Sequence, residues 1–189
     1  LLWENGKIKV DGKTSSKYGK YYPSHSVGKS IVSLVTGYAV CGGYVESVHS
    51  NIKYPTAADT LYESQKLINL LNMTSGDDAI VGQRYFKKDN RIEGKGINVN
   101  STPIKTVLKK YFKGKNGLEA GVNYNYSAMT TNVIMNYVIY KTGDNWERLL
   151  HKVFVEDAKV ENSVYFGKSL EKHKFGNIRK GEYGRYSFY

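Results

Sequence analysis

Ser26 and Lys29 form the pattern Ser-x-x-Lys at the start of a segment predicted to be helical. At this spacing the two side chains lie on one face of a helix, one turn apart. A hydroxyl at a helix N-terminus is a candidate nucleophile, because the helix dipole lowers the cost of negative charge on its oxygen. A lysine amine one turn away can accept the hydroxyl proton. The chemistry that this pair predicts is acyl transfer from an ester or amide to the serine.

The pattern also occurs at residues 50–53 and 169–172, and composition alone predicts about two such matches by chance in a chain of this length. The copy at Ser26 differs because a strongly apolar helical segment follows it, whereas the other two lie in polar segments. The structural alternatives remain open: Ser26 as a simple helix cap, and Lys29 as a surface lysine whose stem lies along the protein.

The composition is that of a globular protein, with 40% hydrophobic and 24% charged residues, and 189 residues fit one domain, residues 1–189. A net charge of +11 favours anionic surroundings, although a solvated basic surface explains it equally well. Residues 105–115 combine lysines with Tyr111 and Phe112, as a nucleic-acid contact would. An amphipathic helix with a lysine-rich outer face accounts for them, so no nucleic-acid partner is expected.

No cofactor and no metal are expected. The four histidines are scattered without metal-ligand spacing, and the single cysteine, Cys41, excludes an internal disulfide and a cysteine zinc cluster. Cys41 lies in an apolar run and is expected in the core. No run approaches the roughly 18 apolar residues of a membrane span, and no signal peptide is visible. Bacterial periplasm and cytoplasm both remain open as the location.

The pattern of apolar and turn-forming residues predicts mainly helices. Residues 26–40 are apolar on nearly every side, which predicts a buried central helix that Gly42 and Gly43 end. Lys7–Val10 alternates as a strand does, with a hairpin turn expected at Asp11 and Gly12. The polar segment 77–102 is expected to form a wall or lid of a site. Further helices are predicted over 65–73, 102–112, 127–140 and from a cap at Asp144 to 153, and a short strand over 164–166.

Five segments match, in order, motifs of one known family. They are residues 22–30 with the Ser-x-x-Lys pattern, 37–45, 53–55, 70–76 (Leu-Leu-Asn-Met-Thr-Ser-Gly) and 124–128 (Tyr-Asn-Tyr-Ser-Ala). Over roughly residues 20–166 the chain resembles class C β-lactamase-related hydrolases of the β-lactamase and penicillin-binding-protein superfamily. That group includes family VIII esterases, DD-peptidases and 6-aminohexanoate-dimer hydrolases.

The resemblance implies three catalytic residues. Ser26 is then the nucleophile that is acylated, Lys29 the base in acylation, and Tyr126 the group that protonates the leaving group or activates water. A phenol beside an ammonium has a lowered pKa, which suits that role. The backbone N–H of Ser26 is then one oxyanion donor. The implied fold is α/β and β-lactamase-like, with a helical region inserted in an antiparallel sheet whose C-terminal strands are missing from this chain.

The sequence departs from the family pattern in two places. Ala128 stands where the tyrosine motif has asparagine, which weakens β-lactamase activity as the main role. Residues 141–143 read Lys-Thr-Gly but end a predicted helix, so the family's third motif is expected beyond Tyr189, in a remaining C-terminal part. The sequence thus predicts a serine esterase or amidase acting on a small-molecule ester or amide. The alternative is a non-catalytic relative that binds or scaffolds.

Overall fold

The computed structural model describes residues 2–10, 26–63, 65–76, 104–114, 119–160, 166–168 and 186–188, and most of them are helical. The α-helices are α1 (Val27–Cys41), α2 (Leu67–Leu71), α3 (Ile104–Val107), α4 (Ala128–Thr142) and α5 (Trp146–His151). A π-helical turn extends α3 (Leu108–Phe112) and another extends α5 (Lys152–Asp157), and 3-10 turns cover Pro55–Ala57 and Gly143–Asn145. The strands are β1 (Leu2–Glu4), β2 (Lys7–Val10), β3 (Phe166–Lys168) and β4 (Tyr186–Phe188).

Helix α4 is the centre of the helical region, where it contacts α1, α2 and α5. Its buried polar side chains bond to carbonyls of their own helix. The Asn136 amide donates to the carbonyl of Asn132 at 2.8 Å, and the Thr142 hydroxyl donates to that of Val138 at 2.9 Å. These bonds let polar residues lie inside the core without loss of hydrogen bonding. The buried apolar side chains of α4 are Met129, Val133, Ile134, Met135, Tyr137, Val138 and Ile139.

Helix α1 buries only one stripe, so the expectation of a central helix buried on nearly every side is wrong. Leu34 is 48% exposed and Val27 is 66% exposed. The helix ends as predicted, at Gly42 and Gly43, and Gly43 adopts a φ of 74° that a side chain would disfavour. The buried residues of α1 are Gly28, Val32, Val35, Thr36 and Ala39, which follow the helical repeat and face α4 and α5.

The expected α/β fold, with a helical region inserted in an antiparallel sheet, is wrong for this chain. Among the described residues, strand pairing is confined to two ribbons of two antiparallel strands, β1 with β2 and β3 with β4. Packing of helices against helices supplies the core instead. The strand signals in the sequence were short and lay near the two ends, and two-stranded ribbons bury too little surface to organise a domain.

Several predicted helices are confirmed, with small differences at their boundaries. The helix predicted over 102–112 is present from Ile104 to Phe112, and α2 and α4 lie within or near their predicted ranges. The β1–β2 hairpin turns at Asn5 and Gly6, both with positive φ. Asn-Gly is among the strongest two-residue hairpin signals, and it lay on the N-terminal side of the predicted strand. Asp11 and Gly12 lie outside the described residues, as does the segment 77–102.

Two further expectations are corrected. Asp144 lies in the 3-10 turn that precedes α5, and the cap position of the helix is occupied by Asn145. Cys41 is exposed rather than in the core. It follows the buried Ala39 by two positions, about 200° around the helix, and therefore faces the opposite side. In the part of the chain that the structure describes, no helix is both long and apolar enough to cross a membrane.

Candidate active site

Ser26 immediately precedes α1, and its side chain does not cap the helix. Its backbone is in the helical region (φ −71°, ψ −19°), and its hydroxyl accepts no hydrogen bond from the first turn. The side chain is exposed and carries its Oγ into a surface cleft. Because a capping serine is extended and directs its oxygen at the N2 or N3 amide, the simple-cap alternative does not describe Ser26.

Ser127, at the start of α4, shows what a capping serine looks like in this molecule. Its backbone is extended (φ −125°, ψ 122°), and its Oγ accepts a hydrogen bond from the backbone N–H of Thr130 at 3.4 Å. The residue is 3% exposed. The two serines at helix starts therefore differ: Ser127 satisfies the backbone of α4, whereas the Ser26 hydroxyl is available for another partner.

Tyr126 reaches Ser26 because its loop is fixed to the turn after α2. The backbone N–H of Gly121 donates to the carbonyl of Thr74 at 2.7 Å, and that of Asn125 donates to the carbonyl of Met73 at 2.8 Å. Met73 itself has a φ of 58°, a left-handed conformation that is rare without glycine. The loop is thus held at two points, and the second of them directly precedes Tyr126.

The same turn is tied to α4 by buried hydroxyl groups. The Oγ of Ser75 and the Oγ1 of Thr130 lie 3.3 Å apart, and both residues are buried. The amide of Gln65 donates to the carbonyl of Ser75 at 2.6 Å. Together with the backbone bonds of the loop, these contacts set the start of α4, and hence Tyr126, relative to α1.

The three residues predicted from the sequence meet at the N-terminus of α1. The hydroxyl of Tyr126 donates to the Oγ of Ser26 at 2.9 Å. The Nζ of Lys29 lies 4.8 Å from the centroid of the Tyr126 ring. The Lys29 ammonium, and secondly the Ser26 hydroxyl, hold the pKa of Tyr126 below its usual value of 10, against a smaller opposing effect of burial. Their catalytic roles stay a prediction, but the phenol is the direct partner of Ser26.

This arrangement favours proton exchange at the Ser26 oxygen. A phenol with a lowered pKa releases its proton at a lower pH than ordinary tyrosine, and the resulting phenolate can accept a proton from a bonded hydroxyl. Lys29 stabilises that phenolate by its charge, since opposite charges within a few ångströms favour the ionised form. Tyr126 is 54% exposed, so solvent weakens the stabilisation of its phenolate by Lys29 without removing it.

The three residues line one side of an open cleft of about 240 Å³. Its other side is formed by α4 and by the turn after α2. The Oγ1 of Thr131 is buried at this wall and has no hydrogen-bond partner among the described residues. Lys29 carries the charge of the cleft, because the other described lining residues are neutral: Ser26, Ser30, Val32, Ser33, Leu71, Met73, Tyr124, Tyr126, Thr131 and Ile134.

Sequence reasoning did not single out Tyr124 or Thr131 as lining residues. A signal for Tyr124 was available, because it lies two residues before Tyr126, which was already a candidate. The sequence contains no such signal for Thr131, because one cannot choose between the adjacent Thr130 and Thr131 without knowing which face of the helix is buried.

The other sequence candidates lie apart from this cleft. Ser50 and Lys53, the second copy of the pattern, precede α2, and their side chains do not line it. His151 contacts the carboxylate of Glu156 at 3.2 Å on the surface, and His49 is exposed. His25, His173 and the pattern at 169–172 lie outside the described residues. Within the described ranges, no three His, Cys, Asp or Glu side chains are grouped as metal ligands.

Comparison with known proteins identifies no family for this sequence. The sequence matches no protein-family model, and no curated protein matches it significantly.

Proposed function

We propose that the chain is a serine hydrolase that cleaves an ester or amide through an acyl-Ser26 intermediate. The observation that carries the proposal is the 2.9 Å hydrogen bond between Tyr126 and a Ser26 side chain that does not cap its helix. The ordered segments that resemble β-lactamase-related hydrolases support it from the sequence. The proposal depends on these side chains and not on the sheet of that family.

The reaction has two steps in which Tyr126 and Lys29 handle the proton. In acylation the Ser26 oxygen attacks the carbonyl carbon while its proton passes to the Tyr126 phenolate, whose charge Lys29 stabilises. The bond to the leaving alcohol or amine then breaks, and that group takes the proton from Tyr126. In deacylation a water loses its proton to Tyr126 and attacks the acyl carbon, and the Ser26 oxygen leaves and is reprotonated.

The sequence interpretation of Lys29 as the base is therefore refined into a shared role. Lys29 lies over the Tyr126 ring and is the main cause of the lowered pKa of the phenol, whose oxygen donates a hydrogen bond to Ser26. The proposed base is the tyrosine–lysine pair, with the proton accepted at the phenol oxygen. Loss of either residue should slow acylation, and loss of Tyr126 should also remove the atom that receives the proton.

A fluorophosphonate probe tests the proposal, because it forms a stable adduct only with an activated serine. We expect one label per chain, located by mass spectrometry on Ser26. Ser26→Ala should abolish labelling, and Ser50→Ala, which removes the serine of the second Ser-x-x-Lys pattern, should leave it unchanged. A folded protein that takes no label would refute the hydrolase proposal and favour a binding or scaffolding role.

A further inference from the structure

We infer that the cleft beside Ser26 holds an apolar acyl group that carries no positive charge, and that Tyr124 determines the preference for an apolar chain, an inference that rests on the proposed function. Three features of the cleft carry it: the residues of its wall, the exposure of the Tyr124 ring, and the distribution of charge.

Part of the lining of the cleft is apolar. Leu71 and Met73 come from the end of α2 and the turn after it, and Ile134 comes from α4. Ile134 is 2% exposed, so its position is fixed by the core, whereas Leu71 and Met73 are partly buried and keep surface toward the cleft. An acyl chain placed here removes apolar surface of both partners from water, which favours binding in proportion to the area covered.

Tyr124 is 68% exposed although it lines the same cleft. It precedes Tyr126 by two residues in the same loop, and both side chains line the cleft that contains Ser26. The hydroxyl of Tyr126 is engaged with Ser26 and its ring with Lys29. The Tyr124 ring therefore offers an aromatic surface beside the nucleophile that a bound acyl chain can cover.

The charge of the cleft selects against cationic acyl groups. Lys29 is cationic, and none of the described residues that line the cleft is acidic. While Tyr126 is protonated, a positive group on the acyl chain would meet Lys29 at short range without a negative charge to offset it. A neutral acyl chain carries no such cost. The protein's net charge of +11 also disfavours a cationic substrate.

The test is a series of p-nitrophenyl esters of acetate, butyrate and hexanoate. On the full chain we expect kcat/KM to rise by up to about fourfold per methylene, the value of one fully buried CH₂ group. Tyr124→Ala should flatten the dependence of kcat/KM on acyl length, and Tyr124→Phe should restore the slope. Val122→Ala, in the same loop but outside the cleft, should match the parent protein.

A second pair of esters tests the charge. The 5,5-dimethylhexanoyl and 4-(trimethylammonio)butanoyl groups have the same shape, and the neutral one should be hydrolysed at least tenfold faster. Three results would each overturn the inference: kcat/KM that does not change with acyl length, a cationic ester that is hydrolysed as fast as the neutral one or faster, or a slope for Tyr124→Ala equal to that of the parent protein. If the fluorophosphonate probe still labels Ser26, the hydrolase proposal is unaffected by these results. Absence of labelling would overturn both.

Discussion

Replacement of Tyr126 by phenylalanine separates catalysis from stability at this site. The change removes one oxygen, which lies 2.9 Å from the Ser26 Oγ and interacts with the Lys29 ammonium, and it leaves in place the ring over which Lys29 lies. Tyr126 is 54% exposed, so water can replace the lost hydrogen bond, and the free energy of unfolding should fall by no more than about 1 kcal/mol.

The effect on the rate should be much larger. A positioned proton acceptor contributes about 10²–10⁴-fold, which corresponds to a rise of about 3–5 kcal/mol in the acylation barrier. Stopped-flow release of p-nitrophenol measures acylation, and urea unfolding measures stability. Tyr140→Phe is the matched control, because Tyr140 is 50% exposed on α4 but packs against Tyr54, 5.6 Å away between ring centroids.

The reasoning fails if Tyr126→Phe acylates at more than a tenth of the parent rate with unchanged stability. The phenol would then be a structural neighbour of Ser26, and the proton would have to pass to Lys29 directly. A large loss of stability would also contradict it, because it would show that the hydrogen bond is part of the core and not of an exposed cleft.

Three other predictions follow from particular contacts. The rate of acylation should rise with pH as Tyr126 ionises, with a midpoint below pH 10. Lys29→Met should move that midpoint to higher pH, because the ammonium is the main cause of the lowered pKa of Tyr126. An unchanged midpoint in the pH–rate profile of the variant would contradict this. Thr130→Val should lower the free energy of unfolding by about 1–3 kcal/mol, since it strands a buried serine hydroxyl, whereas Thr131→Val should leave it unchanged or raise it. Cys41 should react stoichiometrically with Ellman's reagent in the native protein, and reaction only after denaturation would show that it is buried.

The sequence predicted the relation of Ser26 to Lys29 because it depends on helix geometry alone. Any helix that begins at residue 27 places residues three apart on one face. The approach of Tyr126 to Ser26 could not be predicted from helix geometry. It depends on backbone hydrogen bonds from Gly121 and Asn125 to the turn at Thr74 and Met73, and backbone groups carry no mark of residue type. Only the ordered motifs of a known family pointed to Tyr126.

The choice of central helix could not be read from the apolar pattern. Helix α4 contains Asn132, Asn136 and Thr142, which lower its apolar content in the sequence, yet all three are buried. Two of their side chains bond to carbonyls one turn back, a local arrangement that the sequence does not reveal. Helix α1 is more apolar but leaves Leu34 exposed, so the more apolar helix is not the more buried one.

The wrong expectation of an antiparallel sheet has a separate cause. It came from the family resemblance and not from strand patterns in these residues, which were limited to short runs near the two ends. The resemblance rests on five short segments within roughly residues 20–166, and such segments specify local contacts without specifying the sheet around them. The site and the fold were therefore predictable to different degrees.

The most direct test of the central claim is the mass of the protein during turnover. After incubation with p-nitrophenyl butyrate and an acid quench, the intact chain should be heavier by one butyryl group, and peptide fragmentation should locate that group on Ser26. Turnover without an acylated species, or an acyl group on a lysine or on another serine such as Ser50, would contradict the proposal that Ser26 is the nucleophile.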